Sequence, residues 1–422
     1  MEMFGKRRER LHHLIDLARG CHCWSRTKLA RALNRSSTRL YPDTDNPKLD
    51  LLVALADVLE WPVDAVAEYV WAGVMPETGF DPAPGSDDEY DALLDQTRQA
   101  FREGKYAETV KLARRLLSLA QTPTQRAVAL DKQAIAWDAM GRFTKAKDIR
   151  HRAMLEQPVS IDVRMMLKGN HAATLAALSE YASAQGIAHR IIDWFGENPP
   201  QTELLRMVFA FAYYVRGNAS QCLIPAEPSL GKHHAQDAKV DLGISARMHE
   251  QLADEYDKPE LLAIANTCRA GIVVSEVELG TRGLENAISM LMDGLPESVA
   301  VGEEDLLGDW IESYGWWAIL GGELAVRHLH GSSLQHATAV FSSKALEIAD
   351  IISNWEFRAR ALRIQFASHE KLRRETGLRL EFQVDEDVLR IISGVIGRFP
   401  AFRSLGWKML KEAKVVGDES AL

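Results

Sequence analysis

Cysteine is scarce in this chain: Cys21, Cys23, Cys222 and Cys268 are the four it has. They are too few and too scattered for a disulfide scaffold. Cys21-His22-Cys23, with His12 and His13 upstream, offers zinc-binding atoms, but no second Cys-x-x-Cys pair completes a structural spacing. A loop with two reduced cysteines and no metal is the expectation. Long apolar runs are also missing. A stretch such as Val208 to Val215 falls well short of the ~18 residues a membrane span needs. Met1 to Arg10 is charged and leads into no apolar signal-peptide core. Cytoplasmic residence without membrane association is therefore expected.

Catalytic signatures are absent too. The chain has no Walker-type glycine loop, no Gly-x-Ser-x-Gly elbow and no His-Glu-x-x-His. The acidic runs Gly302-Glu303-Glu304-Asp305 and Asp385-Glu386-Asp387 precede helical segments, where carboxylates oppose the positive end of the helix dipole. Neither an enzyme nor a cofactor is expected.

What is present is ample core material, with 46% hydrophobic and 26% charged residues. The length, 422 residues, suits two or three domains, or one small domain and a repeat array. The net charge of -9 conceals an asymmetry. Residues 1–39 carry ten Lys/Arg against Glu2, Glu9 and Asp16, a local balance of +7 that leaves -16 for the remainder. A basic end on an acidic body is the charge layout of a nucleic-acid-reading head. A basic, merely solvated surface is the plainer alternative.

Within residues 1–75 the apolar spacing predicts four helices. Leu11, Leu14, Ile15 and Ala18 share one face of the first, about Lys6 to Ala18, which Gly20 ends. Ser25 is placed to cap the second, Arg26 to Leu33, which buries Leu29, Ala30 and Leu33. A further helix follows Pro47, with Leu49, Leu52, Val53, Leu55, Ala56 and Leu59 as its apolar stripe, and Pro62 opens the last, Val63 to Tyr69. The run Ser-Arg-Thr-Lys-Leu-Ala-Arg-Ala-Leu from Ser25, then Ser-Ser-Thr-Arg-Leu from Ser36, then Asn46-Pro47 and its helix, resembles a lambda-repressor-like helix-turn-helix domain of the XRE type. The resemblance covers residues 25–66. It implies double-stranded DNA as a partner, contacted through Arg26, Lys28, Arg35, Ser36, Ser37, Thr38 and Arg39. Between the second helix and Asn46 the chain is a few residues shorter than the family pattern. Pro42 also removes a backbone donor, so the recognition helix is expected to shrink to a turn or two from Ser36 to Tyr41.

Residues 76–89, Pro76 to Glu89, are rich in proline, glycine and acid and read as a flexible linker. Beyond it, Gly104-Lys105-Tyr106, Gly141-Arg142-Phe143, Ser179-Glu180-Tyr181 and Gly217-Asn218-Ala219 recur at spacings of 37, 38 and 38. Each has a helix-length segment on both sides. Ala146 and Ala184 follow three positions after the aromatic, whereas Thr109 and Cys222 occupy the equivalent places. The pattern resembles tetratricopeptide repeats, with a period longer than that family's ~34 residues. Further helix pairs are expected around Gly280-Thr281-Arg282-Gly283 and Gly331-Ser332-Ser333, with a last pair over 355–375 and 385–412. Residues 90–415 would then form an α-solenoid and 416–422 a tail, giving an all-α chain. His233-His234 reads as a solvated pair in a loop.

Repeat arrays of this kind leave a concave groove. Phe211, Tyr213 and Tyr214, with Trp310, Tyr314, Trp316 and Trp317, are candidates to line it, although aromatics at helical spacing more often form core. Taken together, the resemblances imply a bacterial, dimeric transcriptional regulator. Its head would read an operator and its body would sense a peptide, a small molecule or a protein. The competing reading is an interaction scaffold whose head no longer reads DNA.

Overall fold

The computed structural model describes residues 2–21, 24–44, 46–59, 63–72, 87–103, 105–296, 309–378 and 380–416. Most of the expected linker, His22 and Cys23, Gly302 to Asp305 and the tail after Val416 lie outside the described residues. The chain divides into two units, Met1–Pro82 and Ala83–Leu422.

The first unit is a helical head: α1 (Glu2–Cys21), α2 (Arg26–Ala32), a single 3-10 turn (Ser37–Arg39), α3 (Leu49–Leu59) and α4 (Val63–Ala72). Ser25 caps α2 by accepting from the Lys28 N–H at 3.2 Å. The chain leaves α2 through Asn34 at φ +54°, and the Arg35 N–H returns to the Ala30 carbonyl at 2.8 Å. Leu11, Leu14, Ile15, Ala18, Leu29, Ala30 and Leu33 all enter the head's core. The stripe of α3 differs from the expected one. Leu51, Leu52, Leu55, Ala56 and Leu59 are buried, while Leu49 is 68% and Val53 39% exposed. Leu51 takes the place expected of Leu49, which rotates the buried face away from the helix start.

The second unit is built of antiparallel helices: α5 (Asp87–Arg102), α6 (Tyr106–Leu119), α7 (Pro123–Ala139), α8 (Phe143–Leu155), α9 (Ile161–Ala177), α10 (Tyr181–Glu197), α11 (Glu203–Ala226), α12 (Gly231–Tyr256), α13 (Leu261–Glu278), α14 (Leu284–Asp293), α15 (Asp309–His328), α16 (Gly331–Ile351), α17 (Trp355–Thr376), α18 (Glu386–Arg398) and α19 (Arg403–Glu412). Asp87, Asp88 and Glu89, expected in the linker, form the first turn of α5. Three turns share one device. The amides of Lys105, Arg142 and Glu180 each donate to a carbonyl five residues back, Ala100, Trp137 and Leu175, at 2.8–2.9 Å. That closure needs a left-handed residue, supplied by Gly141 (φ +69°) and Ser179 (φ +66°). Thr109 is fully buried where Ala146 and Ala184 sit in the next pairs, and its hydroxyl donates to the Lys105 carbonyl at 3.0 Å.

The fourth triplet makes no turn. Gly217-Asn218-Ala219 lies inside α11, a helix of 24 residues. A Cβ on Gly217 would stand 2.8 Å from Leu242 Cγ, so the glycine serves the close approach of α12. Cys222 accordingly belongs to α11 itself. The expected loop at His233-His234 is the first turn of α12, and His234 is buried there with its Nε2 2.9 Å from the Glu227 carboxylate. Pro400 splits the segment 385–412 into α18 and α19. The all-α expectation holds apart from one short parallel pair, β1 (Phe382–Val384) with β2 (Ala413–Val415).

Glycines let the later helices touch. A Cβ on Gly315 of α15 would collide with the ring of fully buried Phe357, and one on Gly321 with Phe341. Gly315→Ala is expected to destabilise the protein by about 1–3 kcal/mol through overpacking. Urea unfolding would show this as a lowered midpoint, and an unchanged midpoint would mean that α15 and α17 have room to separate.

The array curls until its later helices meet its earlier ones. Trp355, opening α17, lies against Gly141 in the α7–α8 turn and against Gly394 of α18. Arg398 stacks over the Trp355 ring at 3.6 Å, and Phe143 meets Phe399 at 5.6 Å. Phe143, Leu178, Leu362, Phe366, Ile392 and Phe402 share one core cluster, joining residues more than 200 positions apart. A closed ring from α7 to α18 results, with the first helix of each early pair on its inner side.

Candidate functional site

In the head, the residues from Arg26 to Arg39 come together on α2 and the 3-10 turn. Arg26, Lys28, Arg31, Ser36, Thr38 and Arg39 are exposed, while Arg35 and Ser37 are half-buried. Arg26 Nε donates to the Ser37 carbonyl at 3.0 Å, and its guanidinium lies 5.4 Å from the Tyr41 ring. Tyr41 donates its hydroxyl proton to Asp16 at 2.5 Å, and His12 Nε2 lies 2.9 Å from the Pro42 carbonyl. The short turn is thus pinned to α1 and α2 by side chains. Ser36 and Thr38 hydroxyls share a hydrogen bond of 3.1 Å, and Lys28 covers Trp24 at 4.9 Å. Among the described residues, Arg26, Lys28, Arg31, Arg35 and Arg39 form no ion pair, whereas Arg8 and Arg19 are matched to Asp43 and Asp16 at 2.5 and 4.0 Å. Cations without carboxylate partners keep their full charge for an external anion.

In the body, the inner side of the ring carries a half-open cavity of about 270 Å³. Asp138 of α7, Thr174 of α9, Phe211, Tyr214 and Cys222 of α11, Glu312 and Trp316 of α15, and Glu356 and Arg360 of α17 are in its wall. Phe143 and Tyr181, from the starts of α8 and α10, complete it. Two buried charge groups support this wall. In one, Arg150, only 2% exposed, reaches Asp131 at 3.3 Å and also contacts Asp138 and Thr174. Asn170 donates to both oxygens of Asp131 at 3.1–3.2 Å. Burial pushes the Asp138 carboxyl up to about 6, against the pull of Arg150. In the other, Arg360 donates to Glu323 and Glu356, each at 3.1 Å, and approaches Cys222 Sγ at 3.8 Å. Burial raises Glu356 above the usual carboxylate range despite Arg360, and it raises the Cys222 thiol as well. Burial disfavours the Arg360 charge, but Glu323 and its neighbours outweigh that and hold it protonated.

The aromatic residues singled out in the sequence divide between wall and packing. Phe211 and Tyr214 line the cavity, stacked at 5.7 Å, as does Trp316, which lies 5.0 Å from the Arg360 guanidinium. Tyr213 sits between the Phe209 ring and the Arg216 guanidinium, at 5.3 and 5.4 Å. Trp310 and Tyr314 pair with each other at 6.3 Å. Trp317 is buried in the largest core cluster, its indole N–H donating to the Asn266 carbonyl at 2.9 Å. The charged wall groups had no sequence signal, because three helices far apart in the chain, α7, α15 and α17, contribute them. A wider groove of about 500 Å³ lies between α10 and α12, over the Arg216–Asp241 pair.

Among the described residues, no group of three or more His, Cys, Asp or Glu side chains is placed to hold a metal ion. No helix there is long and apolar enough to cross a membrane. No family model and no curated protein matches the chain. Among solved structures, Bacillus thuringiensis PlcR in complex with the peptide PapR7 and DNA is similar, at 12% identity. The match covers 84% of this chain and 99% of that one, with a TM-score of 0.34. The likeness is too loose to assign a role to any residue.

Proposed function

We propose that the protein is a DNA-binding transcriptional regulator whose helical body senses a ligand and whose operator-bound form is a homodimer. The observation that carries the reading is the cluster Arg26, Lys28, Arg31, Arg35 and Arg39, placed around exposed Ser36 and Thr38 with no ion-pair partner among the described residues. Cations and hydroxyls on a short turn suit a phosphate backbone, and an exposed arginine such as Arg39 is the residue type that reads a guanine edge. A ligand that fits one state of the ring better than another would shift the population of heads able to engage two half-sites.

One observation favours the scaffold reading: the segment expected to read bases is a single 3-10 turn, Ser37–Arg39. Selection of duplexes from a random pool by the full-length protein separates the two. The regulator predicts an enriched, two-fold symmetric motif that Arg39→Ala loses. Retention of duplexes without any motif, abolished by moderate salt, would instead mean phosphate attraction alone and would favour the scaffold.

A further inference from the structure

We propose that the seam at which the ring closes binds a doubly charged phosphate group, held by Arg142, Arg358 and Arg398. The three stand on both sides of the closure. Arg142 opens α8, Arg358 lies near the start of α17, and Arg398 ends α18. Trp355 is their common neighbour. Arg358 lies 4.6 Å and Arg398 3.6 Å from the centre of its ring. A Cβ on Gly141, the residue before Arg142, would stand 2.6 Å from Trp355 Cβ and 3.4 Å from Arg398 Cδ.

What the seam lacks is negative charge. Among the described residues, the Arg142 side chain has no ion pair and no hydrogen bond. Arg398 Nη1 donates to the Gly394 carbonyl at 3.0 Å, while its Nε is buried without an acceptor. Asp350, 2.9 Å from Arg358, is the one carboxylate there that pairs with any of the three. Burial, and then the charges of Arg142 and Arg358, push the Arg398 guanidinium down to about 10. Stacking on Trp355 accounts for Arg358 and Arg398, because the face of an indole attracts cations. It does not account for Arg142.

The count of charges selects the ligand. Three guanidiniums against one carboxylate leave two positive charges, and a phosphate group carries about -1.5 to -2 at pH 7. A chloride or a simple carboxylate would leave one charge unmatched. Guanidinium forks also meet phosphate oxygens through paired N–H groups. The positive end of the α8 dipole adds to the attraction, since no side chain caps that helix and no acidic residue stands in its first turn. Bound there, the anion ties α8 to α17 and α18 and fastens the ring.

The test uses the full-length protein in chloride at constant ionic strength, with inorganic phosphate, glycerol 3-phosphate and acetate as probes. Calorimetry and thermal shift are expected to show binding and stabilisation by the phosphates and none by acetate. Whichever phosphate binds more tightly identifies the source, the free ion or an organic monoester. Arg142→Gln, at an exposed position, should weaken that binding about tenfold or more, as loss of a charged hydrogen bond does. In phosphate-free buffer the same variant should be no less stable than wild type, because it removes a repulsion. Added phosphate should slow amide hydrogen exchange at the α7–α8 turn and at the end of α18. Acetate that stabilises as well as phosphate would overturn the proposal. So would phosphate binding that Arg142→Gln leaves unchanged, which would put the anion on the basic head instead, or no phosphate effect up to millimolar concentration. No DNA enters these measurements, so the outcome is independent of how the head is read.

Discussion

Replacing Arg150 by alanine is expected to destabilise the protein by about 3–5 kcal/mol, the usual result of removing one partner from a buried charge group. Arg150 is the largest of the fully buried side chains, and it stands between Asp131, 1% exposed, and Asp138. Without it, Asn170 and Thr174 are left to satisfy two carboxylates that burial already disfavours. The deficit should depend on pH. Burial raises the Asp138 carboxyl from 3.8 to about 6 in the folded protein. A raised carboxyl binds its proton more tightly when folded, so its contribution is fully present below pH ~4 and is lost as pH rises through about 6. Loss of Arg150 pushes Asp138 further up and moves that window towards neutrality. The variant should therefore be closest to wild type in acid and furthest from it at pH 7–8. Urea unfolding across this range would measure it. Adding Asp131→Asn and Asp138→Asn to Arg150→Met should restore most of the loss, because the replacement group carries no unpaired charge. A deficit under about 1 kcal/mol that ignores pH would mean that the carboxylates reach solvent instead.

The second large effect concerns the head. Exchanging Arg26, Arg35 and Arg39 together for glutamine is expected to weaken specific DNA binding by at least two orders of magnitude, since each contact contributes about 1–3 kcal/mol. The dependence on salt discriminates further. Each phosphate contact removed makes the slope of log K against log salt shallower by about 0.9. A triple variant that loses affinity but keeps its slope would show that these arginines shape the turn rather than touch the backbone. Arg26 is the residue for which that distinction is sharpest, because its Nε already holds the Ser37 carbonyl. Arg39→Lys offers a control, retaining the charge while removing the bidentate fork that reads a guanine.

How much of this was legible in the residues can be judged element by element. The buried faces of α1 and α2 and the start of α2 follow from apolar spacing and from Ser25, because one-sided burial and a cap are local properties, but α1 runs on through Gly20, where an end was expected, to Cys21. The α3 stripe was right at Leu52, Leu55, Ala56 and Leu59 and wrong at Leu49 and Val53, since spacing alone does not tell that Leu51 would be buried in place of Leu49. The repeat triplets show the same limit. Gly141 and Ser179 mark turns because a left-handed residue must end each helix, and Gly217 carries the same letters for another purpose, the approach of Leu242. The inner cavity had no local signature at all. Its aromatics could be suspected from helical spacing, but Glu356 and Arg360 face Cys222 and Asp138 only because the array closes. That closure is a long-range property: Trp355 finds Gly141 across 214 positions.

Closure has a consequence for how such a chain can change over generations. An open stack of helix pairs tolerates duplication or deletion of a pair, because each pair answers only to its neighbours and the ends are free. Here the circumference is fitted. Adding a pair between α9 and α15 would carry Trp355 past the Gly141 turn, and removing one would stop it short. Either change would also pull Arg360 away from Cys222 and open the wall. The number of helix pairs between α7 and α18 is therefore held by the same contacts that define the cavity, and variation in this unit is confined to parts outside the hoop, such as α5 and α6.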